Sequence, residues 1–150
     1  MQVSDEDRKR RQGKIILVVE DDPHISDFIK LALEHGGLMV IVVRNGEDAL
    51  STPSRITPVA ILMDVNLDSN DCEWDGYETC ARIRHNYRDL KAPVIFVTAR
   101  KTEADVKRVL QVGGDYFVTK ALAADKLLER IVHALGGPER APPRGALRVS

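Results

Sequence analysis

Short β-branched runs alternate with segments of helical spacing along most of this chain, and the alternation limits the fold more than any other feature. The runs are IILVV (15–19), MVIVV (39–43), VAILM (59–63), VIFV (94–97) and a weaker YFVT (116–119). Their continuous apolar character is typical of strands buried on both faces. Strand and helix alternate five times along the sequence, which predicts a parallel sheet with helices on both faces.

The segments between the runs carry apolar residues every three or four positions, as on the core-facing side of a helix. These positions are Ile25, Phe28, Ile29, Ala32 and Leu33; Tyr77, Cys80, Ile83 and Arg84; Val106, Val109 and Leu110; and Leu127, Leu128, Ile131, Val132 and Leu135. The stretch from Gly46 to Leu50 predicts a further short helix.

Both ends of the chain differ from its middle. Residues 1–13 (MQVSDEDRKRRQG) are almost devoid of apolar side chains, and residues 136–150 combine Gly, Pro and Arg without periodicity. We therefore expect one folded domain over residues 14–135 between two flexible tails. The basic cluster Arg8 to Arg11 lies beside acidic Asp5 to Asp7, so we interpret it as part of a solvated tail.

Charge and composition exclude several classes of protein. A net charge of −1 gives no electrostatic reason for direct DNA binding. No apolar run approaches the roughly 20 residues that would span a bilayer, so we expect no membrane insertion. The chain has two cysteines, Cys72 and Cys80, and a charged N-terminus instead of a secretory signal. We expect a cytoplasmic protein with free thiols.

Chemically active side chains follow the predicted strands at the points where those strands end. Glu20, Asp21 and Asp22 follow the first, Asp64 the third, Thr98 the fourth, and Lys120 the fifth. In open α/β sheets ligands bind just beyond the carboxyl ends of the strands. We therefore expect these side chains to share one site at that edge.

Clustered carboxylates repel one another unless a cation lies between them. Hard oxygen ligands of this kind suit Mg²⁺, which leaves coordination positions for phosphate oxygens, and Mn²⁺ is the alternative. A carboxylate held beside a metal and the Lys120 ammonium, with the Thr98 hydroxyl nearby, is arranged to attack a phosphoryl group. The pattern indicates an aspartyl phosphate on Asp64.

Several motifs together resemble the receiver domain of bacterial two-component response regulators, the CheY-like family. They are ILVVEDDPHISDFIKLALE, NGEDAL, ILMDVNL, DGYETCARIR, APVIFVTAR and GGDYFVTKA, and they occur in family order across most of residues 14–135. The resemblance implies a flavodoxin-like, doubly wound (βα)5 fold with a five-stranded parallel sheet in the order 2-1-3-4-5.

The resemblance also assigns roles around the predicted metal site. Asp64 is similar to the phosphoacceptor, and it would share the metal with Asp21. Glu20 corresponds to the acidic neighbour that acts through water, and the backbone carbonyl of Asn66 would complete the protein's ligands. Asp22 falls just past the acidic pair and is expected to be peripheral.

Three further residues take switch or charge-balancing roles by resemblance. Thr98 matches the switch hydroxyl and Lys120 the lysine that contacts the phosphoryl group. Phe117 stands at the aromatic switch position, where it would rotate inward from a more exposed rotamer on phosphorylation. That movement would reshape the surface formed by the fourth helix, fifth strand and fifth helix.

The function implied is that of a phosphoacceptor in a two-component phosphorelay. The donor would be a sensor histidine kinase or a histidine phosphotransfer protein, and the output would be contact with a downstream effector protein. The protein would not be an enzyme beyond catalysing its own phosphotransfer and dephosphorylation. Residues 136–150 are too few for an output domain, so we expect a stand-alone receiver. The alternative is a receiver-like interaction module that is not phosphorylated.

Two departures from the family pattern bear on the site. Ala121 follows the lysine where the family usually has proline, whose cis bond shapes the lysine's loop; without proline a cis bond costs about 2.5 to 4 kcal/mol.

The link LDSNDCEWDG after Asp64 is longer than usual. It carries four acids close to the predicted metal, namely Asp68, Asp71, Glu73 and Asp75. We consider a partner-contacting loop around Trp74, a solvated insertion, or a loose imitation of an EF-hand with Asp75 as its twelfth ligand.

Other assignments were weighed against the joint pattern. A haloacid dehalogenase-type phosphohydrolase would need a second catalytic Asp where Asn66 stands. A flavodoxin-like cofactor binder would need a phosphate-binding loop after the first strand, where the acids of this chain would repel phosphate. Taken singly, these acids could cap a helix, Thr98 could lie in a turn, Phe117 in the core and Lys120 on the surface. The histidines have no metal-ligand spacing.

Overall fold

The computed structural model describes residues 5–6, 13–67, 73–99, 102–120, 126, 129–131, 133 and 148–149. Its strands are β1 (Ile15–Val19), β2 (Met39–Val43), β3 (Ala60–Asp64), β4 (Val94–Thr98), β5 (Tyr116–Thr119) and β6 (Arg148–Val149). Its helices are α1 (Pro23–His35), α2 (Gly46–Ser51), α3 (Gly76–Asn86) and α4 (Glu103–Gln111), and a short 3-10 helix, Thr52–Ser54, follows α2. Strand and helix therefore alternate as the sequence predicts.

The strands form one sheet in the order β2-β1-β3-β4-β5-β6, and every neighbouring pair is parallel. The expected order 2-1-3-4-5 is confirmed. The sixth strand was not predicted: Arg148 and Val149 pair with Tyr116 and Phe117 at the edge of β5. They are the part of residues 136–150 that the structure describes, and the sequence analysis treats that segment as a tail.

The strand register brings the predicted site residues to one level. Asp64 pairs with Val97, and Thr98 pairs with Thr119. Glu20 follows directly on Val19, which pairs with Met63. The carboxyl ends of β1, β3, β4 and β5 thus terminate within two residues of one another, which is the arrangement that the site requires.

The core lies in two layers, one on each face of the sheet. One layer contains Ile16, Val18, Ile29, Leu33, Leu38, Ala60, Leu62, Ile95, Val97, Tyr116, Val118 and Ile131. The other contains Leu17, Val19, Ala49, Ile61, Met63, Val65, Leu67, Tyr77, Cys80, Ile83, Val94, Phe96, Val109, Val112 and Phe117. Each fully buried large apolar side chain contributes about 1.5–3 kcal/mol, and the alternation of the two sets along each strand fixes the register.

Three sequence expectations about burial are wrong. β2 was predicted to be buried on both faces, but it is the edge strand and its residues are only partly buried or exposed. Phe28 and Leu110 were placed on core-facing helix surfaces, whereas Phe28 is 50% exposed and Leu110 is also exposed. In α1 the buried positions are Ser26, Ile29 and Leu33, so a serine occupies part of the face that periodicity assigns to apolar residues.

Each of the helices α1 to α4 begins at a side chain that caps it. Asp22, Asn45, Asp75 and Thr102 accept hydrogen bonds from backbone N–H groups of the first turns of α1, α2, α3 and α4, respectively. Such caps typically contribute about 1 kcal/mol each. The capping interpretation is therefore correct for Asp22, the acid that the sequence places at the margin of the site.

The last predicted helix falls mostly outside the described residues. Lys126, residues 129–131 and His133 are helical, and Ile131 is buried in the core. Leu127, Leu128, Val132 and Leu135 lie outside the described residues. In the described parts of the chain, none of the helices has the length and apolar character required to cross a membrane.

Candidate functional site

Asp64 is the last residue of β3 and is 3% exposed. The backbone N–H of Asn66 donates to its Oδ1 at 3.2 Å, which holds the carboxylate at the strand end. Helix α3 begins immediately beside this point: a Cβ on Gly76 would lie 2.1 Å from the Asp64 carbonyl oxygen. Glycine is therefore required at residue 76, because any side chain would push α3 away from Asp64.

Lys120 supplies the positive charge next to this buried carboxylate. Its backbone N–H donates to the carbonyl of Thr98 at 2.7 Å, which fixes the residue just beyond β5. Its Nζ lies 3.2 Å from Asp64 Oδ1 and 3.2 Å from Glu20 Oε1. One ammonium group thus bridges acids from two strands, which explains how the negative charge of Asp64 is tolerated inside the protein.

Three carboxylates converge at this edge. Glu20, Asp21 and Asp64 each offer an oxygen, and these atoms all lie within 4.8 Å of one another. Glu20 is 2% exposed, and its Oε2 accepts the backbone N–H of Asp22 at 3.3 Å. Lys120 contacts two of these acids. Carboxylate oxygens grouped this closely could hold a divalent cation, and this donor set fits Mg²⁺.

Burial and the neighbouring charges change the pKa values of Glu20 and Lys120. Burial, together with the hydrogen bond and charge of Asp64, raises the pKa of Glu20 from 4.5 to about 8. Burial works against the Lys120 ammonium, but attraction to Asp64 and Glu20 outweighs it and raises the pKa of Lys120 above its ordinary value. A bound divalent cation would favour the charged form of Glu20.

The two residues to which the resemblance assigns switch roles are both buried. Thr98 is buried at the end of β4, beside Lys120. Phe117 is 0% exposed and packs in the layer that also contains Val109 of α4. The structure thus holds Phe117 in a buried position, and the more exposed rotamer of the sequence analysis stays a prediction.

Asn66 is exposed next to Asp64, and the metal role of its carbonyl also stays a prediction.

The long link after Asp64 is described only at its two ends. Asp75 accepts the N–H of Glu78 at 2.8 Å and caps α3. The EF-hand interpretation stays a prediction, because residues 68–72 lie outside the described residues. Trp74 is half-buried: the Arg82 guanidinium stacks 4.0 Å from its ring centroid, and the space above Gly46 is filled by Trp74 and Thr79. Trp74 therefore anchors the end of the link against α2 and α3. Asp68, Asp71 and Ala121 lie outside the described residues.

Sequence reasoning missed two residues that shape this site. Gly76 contacts the Asp64 backbone, and its place directly after the capping Asp75 was a usable signal. Arg44 directly follows β2, and it donates hydrogen bonds to the carbonyl of Glu20 and the hydroxyl of Ser26. The rule that function lies after each strand, applied to the second strand as to the others, would have named Arg44.

A doubly wound parallel sheet with a buried carboxylate and lysine site at its strand ends defines a class of signalling domain. The chain belongs to the response regulator receiver domain family, because the sequence model of that family matches residues 16–132. Among curated proteins it is 34% identical to the nisin biosynthesis regulatory protein NisR of Lactococcus lactis over 125 residues, covering 83% of this chain and 52% of that protein. It is 31% identical to the alkaline phosphatase synthesis transcriptional regulatory protein PhoP of Bacillus subtilis over 136 residues, covering 91% and 54%.

The chain spans about half the length of these curated relatives. Among solved structures, the signal receiver domain of a signal transduction histidine kinase from Syntrophus aciditrophicus is 33% identical with a TM-score of 0.72, covering 87% of this chain and 96% of that one. Vibrio cholerae chemotaxis protein CheY4, at 20% identity, has a TM-score of 0.74 and covers 80% and 97%, which supports the fold.

Proposed function

We propose that the protein is a phosphoacceptor of a two-component phosphorelay and that Asp64 receives the phosphoryl group with Mg²⁺ bound. The single observation that supports this most is the placement of the buried Asp64 carboxylate 3.2 Å from Lys120 Nζ and next to Glu20 and Asp21. The donor would be the phosphohistidine of a sensor kinase or of a phosphotransfer protein. A small acyl phosphate would replace it in vitro.

The proposed transfer is a displacement at phosphorus. An oxygen of Asp64 forms a bond to phosphorus while the bond from phosphorus to the donor's imidazole nitrogen, or to an acyl oxygen, breaks. The donor leaves with the bonding electron pair, and the imidazole regains a proton from water. Lys120 stays charged and balances the oxygens of the transferred group, and Mg²⁺ held by Asp21, Asp64 and Glu20 would supply further positive charge.

The new phosphoryl oxygens are strong acceptors for the buried Thr98 hydroxyl. Movement of Thr98 would alter packing near Phe117 and Val109 and so change the surface around α4 and β5. The output we propose is contact with an effector protein through that surface. The proposal is the same whether or not an output domain is attached to this receiver domain.

Asp64→Asn tests the acceptor directly. Incubation with acetyl phosphate and Mg²⁺ should add about 80 Da to the unaltered protein, measured by intact mass spectrometry, and should add nothing to the variant. Asp75→Asn is the matched control, because Asp75 is a nearby acid that caps α3. We expect it to be phosphorylated normally, and chelation of Mg²⁺ should stop labelling. Full labelling of Asp64→Asn would contradict the proposal, and no labelling of the unaltered protein by any donor would favour the unphosphorylated interaction module.

A further inference from the structure

The acidic turn that carries Glu20 and Asp21 is held from the side of β2 as well as by its own strand. The backbone N–H of Glu20 donates to the carbonyl of Val43 at 3.0 Å. The next residue, Arg44, directly follows β2, and its guanidinium reaches back to the carbonyl of Glu20. The position of the metal-binding acids therefore depends on a neighbouring strand end that contributes no ligand.

Arg44 makes two contacts with one nitrogen. Its NH1 donates to Ser26 Oγ at 2.7 Å and to the carbonyl of Glu20 at 3.4 Å. Ser26 is 0% exposed, and its hydroxyl donates in turn to the carbonyl of Pro23 at 3.2 Å. A charge-assisted bond of this length to a buried hydroxyl is among the stronger hydrogen bonds in proteins, so the first turn of α1 is tied to the end of β2.

This arrangement explains why α1 buries a serine on a face where periodicity predicts an apolar side chain. Ser26 provides the acceptor that Arg44 needs, and the first turn of α1 also contains the cap Asp22, whose N–H reaches Glu20 Oε2. The chain of contacts runs from Arg44 through Ser26 to the turn that holds Glu20 and Asp21.

We propose that Arg44 and Ser26 are positioning residues that preorganise the acidic turn for Mg²⁺. The inference rests on the metal site proposed above. Residues that orient metal ligands through hydrogen bonds typically change metal affinity by 10- to 100-fold when removed. For this exposed arginine and its serine partner we expect about a tenfold loss of Mg²⁺ affinity.

The sign of the effect separates positioning from charge. A positive charge near carboxylates repels Mg²⁺, so an arginine that acted only through its charge would weaken binding, and its removal would tighten binding. Positioning predicts the opposite: Arg44→Gln should weaken Mg²⁺ binding although the site becomes more negative. Ser26→Ala should weaken it to a similar extent, with the arginine's charge still present.

The experiment is a Mg²⁺ titration of each folded variant by isothermal calorimetry, with thermal unfolding in chelator measured in parallel. Arg44→Lys keeps the charge without the guanidinium geometry and should resemble Arg44→Gln. The double variant Arg44→Gln/Ser26→Ala should be no weaker than either single variant, because both remove the same bond. Arg55→Gln, an exposed arginine with the same change of charge, is the control and should bind normally.

Each other outcome overturns the inference in a recognisable way. Unchanged affinity in Ser26→Ala with tighter binding in Arg44→Gln would show that Arg44 acts only through its charge. Lower unfolding temperatures with unchanged Mg²⁺ affinity would show a merely structural role. Failure of the unaltered protein to bind Mg²⁺ would overturn the proposed metal site and this inference together, whereas normal binding by it and by every variant would overturn this inference alone.

Discussion

Two groups of buried charges lie at opposite ends of the parallel strands, one where strands begin and one where they end, and their charges are balanced differently. At the edge where β4 begins, the guanidinium of Arg84 pairs with Asp115 at 2.9 Å. The same guanidinium donates to the carbonyls of Gly113, Ala92 and Leu90. Asp115 also accepts the N–H of Val94. Where the strands end, Lys120 Nζ lies 3.2 Å from both Asp64 and Glu20, and the carboxylate of Asp21 lies beside these two acids.

The difference lies in charge balance. The Arg84 pair has one charge of each sign and several neutral partners, so it ties α3 to the starts of β4 and β5 and leaves no charge for a ligand. At the other site the Lys120 ammonium is shared between two acids, Asp64 and Glu20, and the carboxylate of Asp21 is grouped with them. A balanced pair of this kind supports the fold, whereas an unbalanced one provides affinity for a cation at the expense of stability.

The largest effect should come from breaking the balanced pair. Asp115→Ala leaves Arg84 without its counter-charge and Val94 without its acceptor, so we expect a loss of about 3–5 kcal/mol in the free energy of unfolding. Urea denaturation measures it, and Asp89→Ala, an exposed acid on a nearby loop, should change stability by less than about 0.5 kcal/mol. Equal effects of the two variants would show that the pair contributes nothing beyond net charge.

A pH titration of stability should separate the two edges next. The pKa of Glu20 is raised to about 8 in the folded protein, so between its unfolded pKa and that value the folded state binds more protons than the unfolded state. The free energy of unfolding should therefore fall as pH rises from about 4.5 to about 8 without metal. Glu20→Gln should flatten this slope, and Mg²⁺ should reduce it, as measured by urea denaturation in chelator and in Mg²⁺. A slope of opposite sign would contradict the raised pKa.

The smallest effect should be a gain in the free energy of unfolding when the charge of Asp64 is removed. Above about pH 8, where Glu20 is ionised, Asp64→Asn removes one of three clustered negative charges while Lys120 keeps Glu20 as its partner, so without metal we expect a stabilisation of about 1 kcal/mol. Millimolar Mg²⁺ should raise the unfolding temperature of the unaltered protein more than that of the variant. Destabilisation of Asp64→Asn in chelator would mean that the lysine pair outweighs the repulsion.

The strands were predictable because β-branched runs signal them directly. Four of the five predicted runs coincide with observed strands or end one residue short, and the fifth, 59–63, is shifted by one residue because Asp64 itself belongs to β3. The site followed from a single rule about strand ends. The chemistry at Glu20, Asp64 and Lys120 needed no knowledge of which helix packs where.

What the sequence did not reveal depends on contacts between distant segments. The exposure of Phe28 and the edge position of β2 follow from strand order, which periodicity does not encode. The Arg44–Ser26 bond joins residues 18 positions apart, and neither side chain is unusual by itself. The pairing of Arg148 and Val149 with β5 requires a free sheet edge, which only the assembled fold presents.

The hydrogen bond from the Gly76 N–H to the carbonyl of Val65, at 2.9 Å, joins the two ends of the segment that follows the acceptor strand. Residues 66–75 are thus closed off at their base, and lengthening a chain segment between fixed ends costs only about 0.6 kcal/mol per doubling of its length. The length of this segment is therefore free to vary during evolution without moving Asp64. A protein built this way can acquire a new surface next to the Asp64 carboxylate while the end of β3 stays in place.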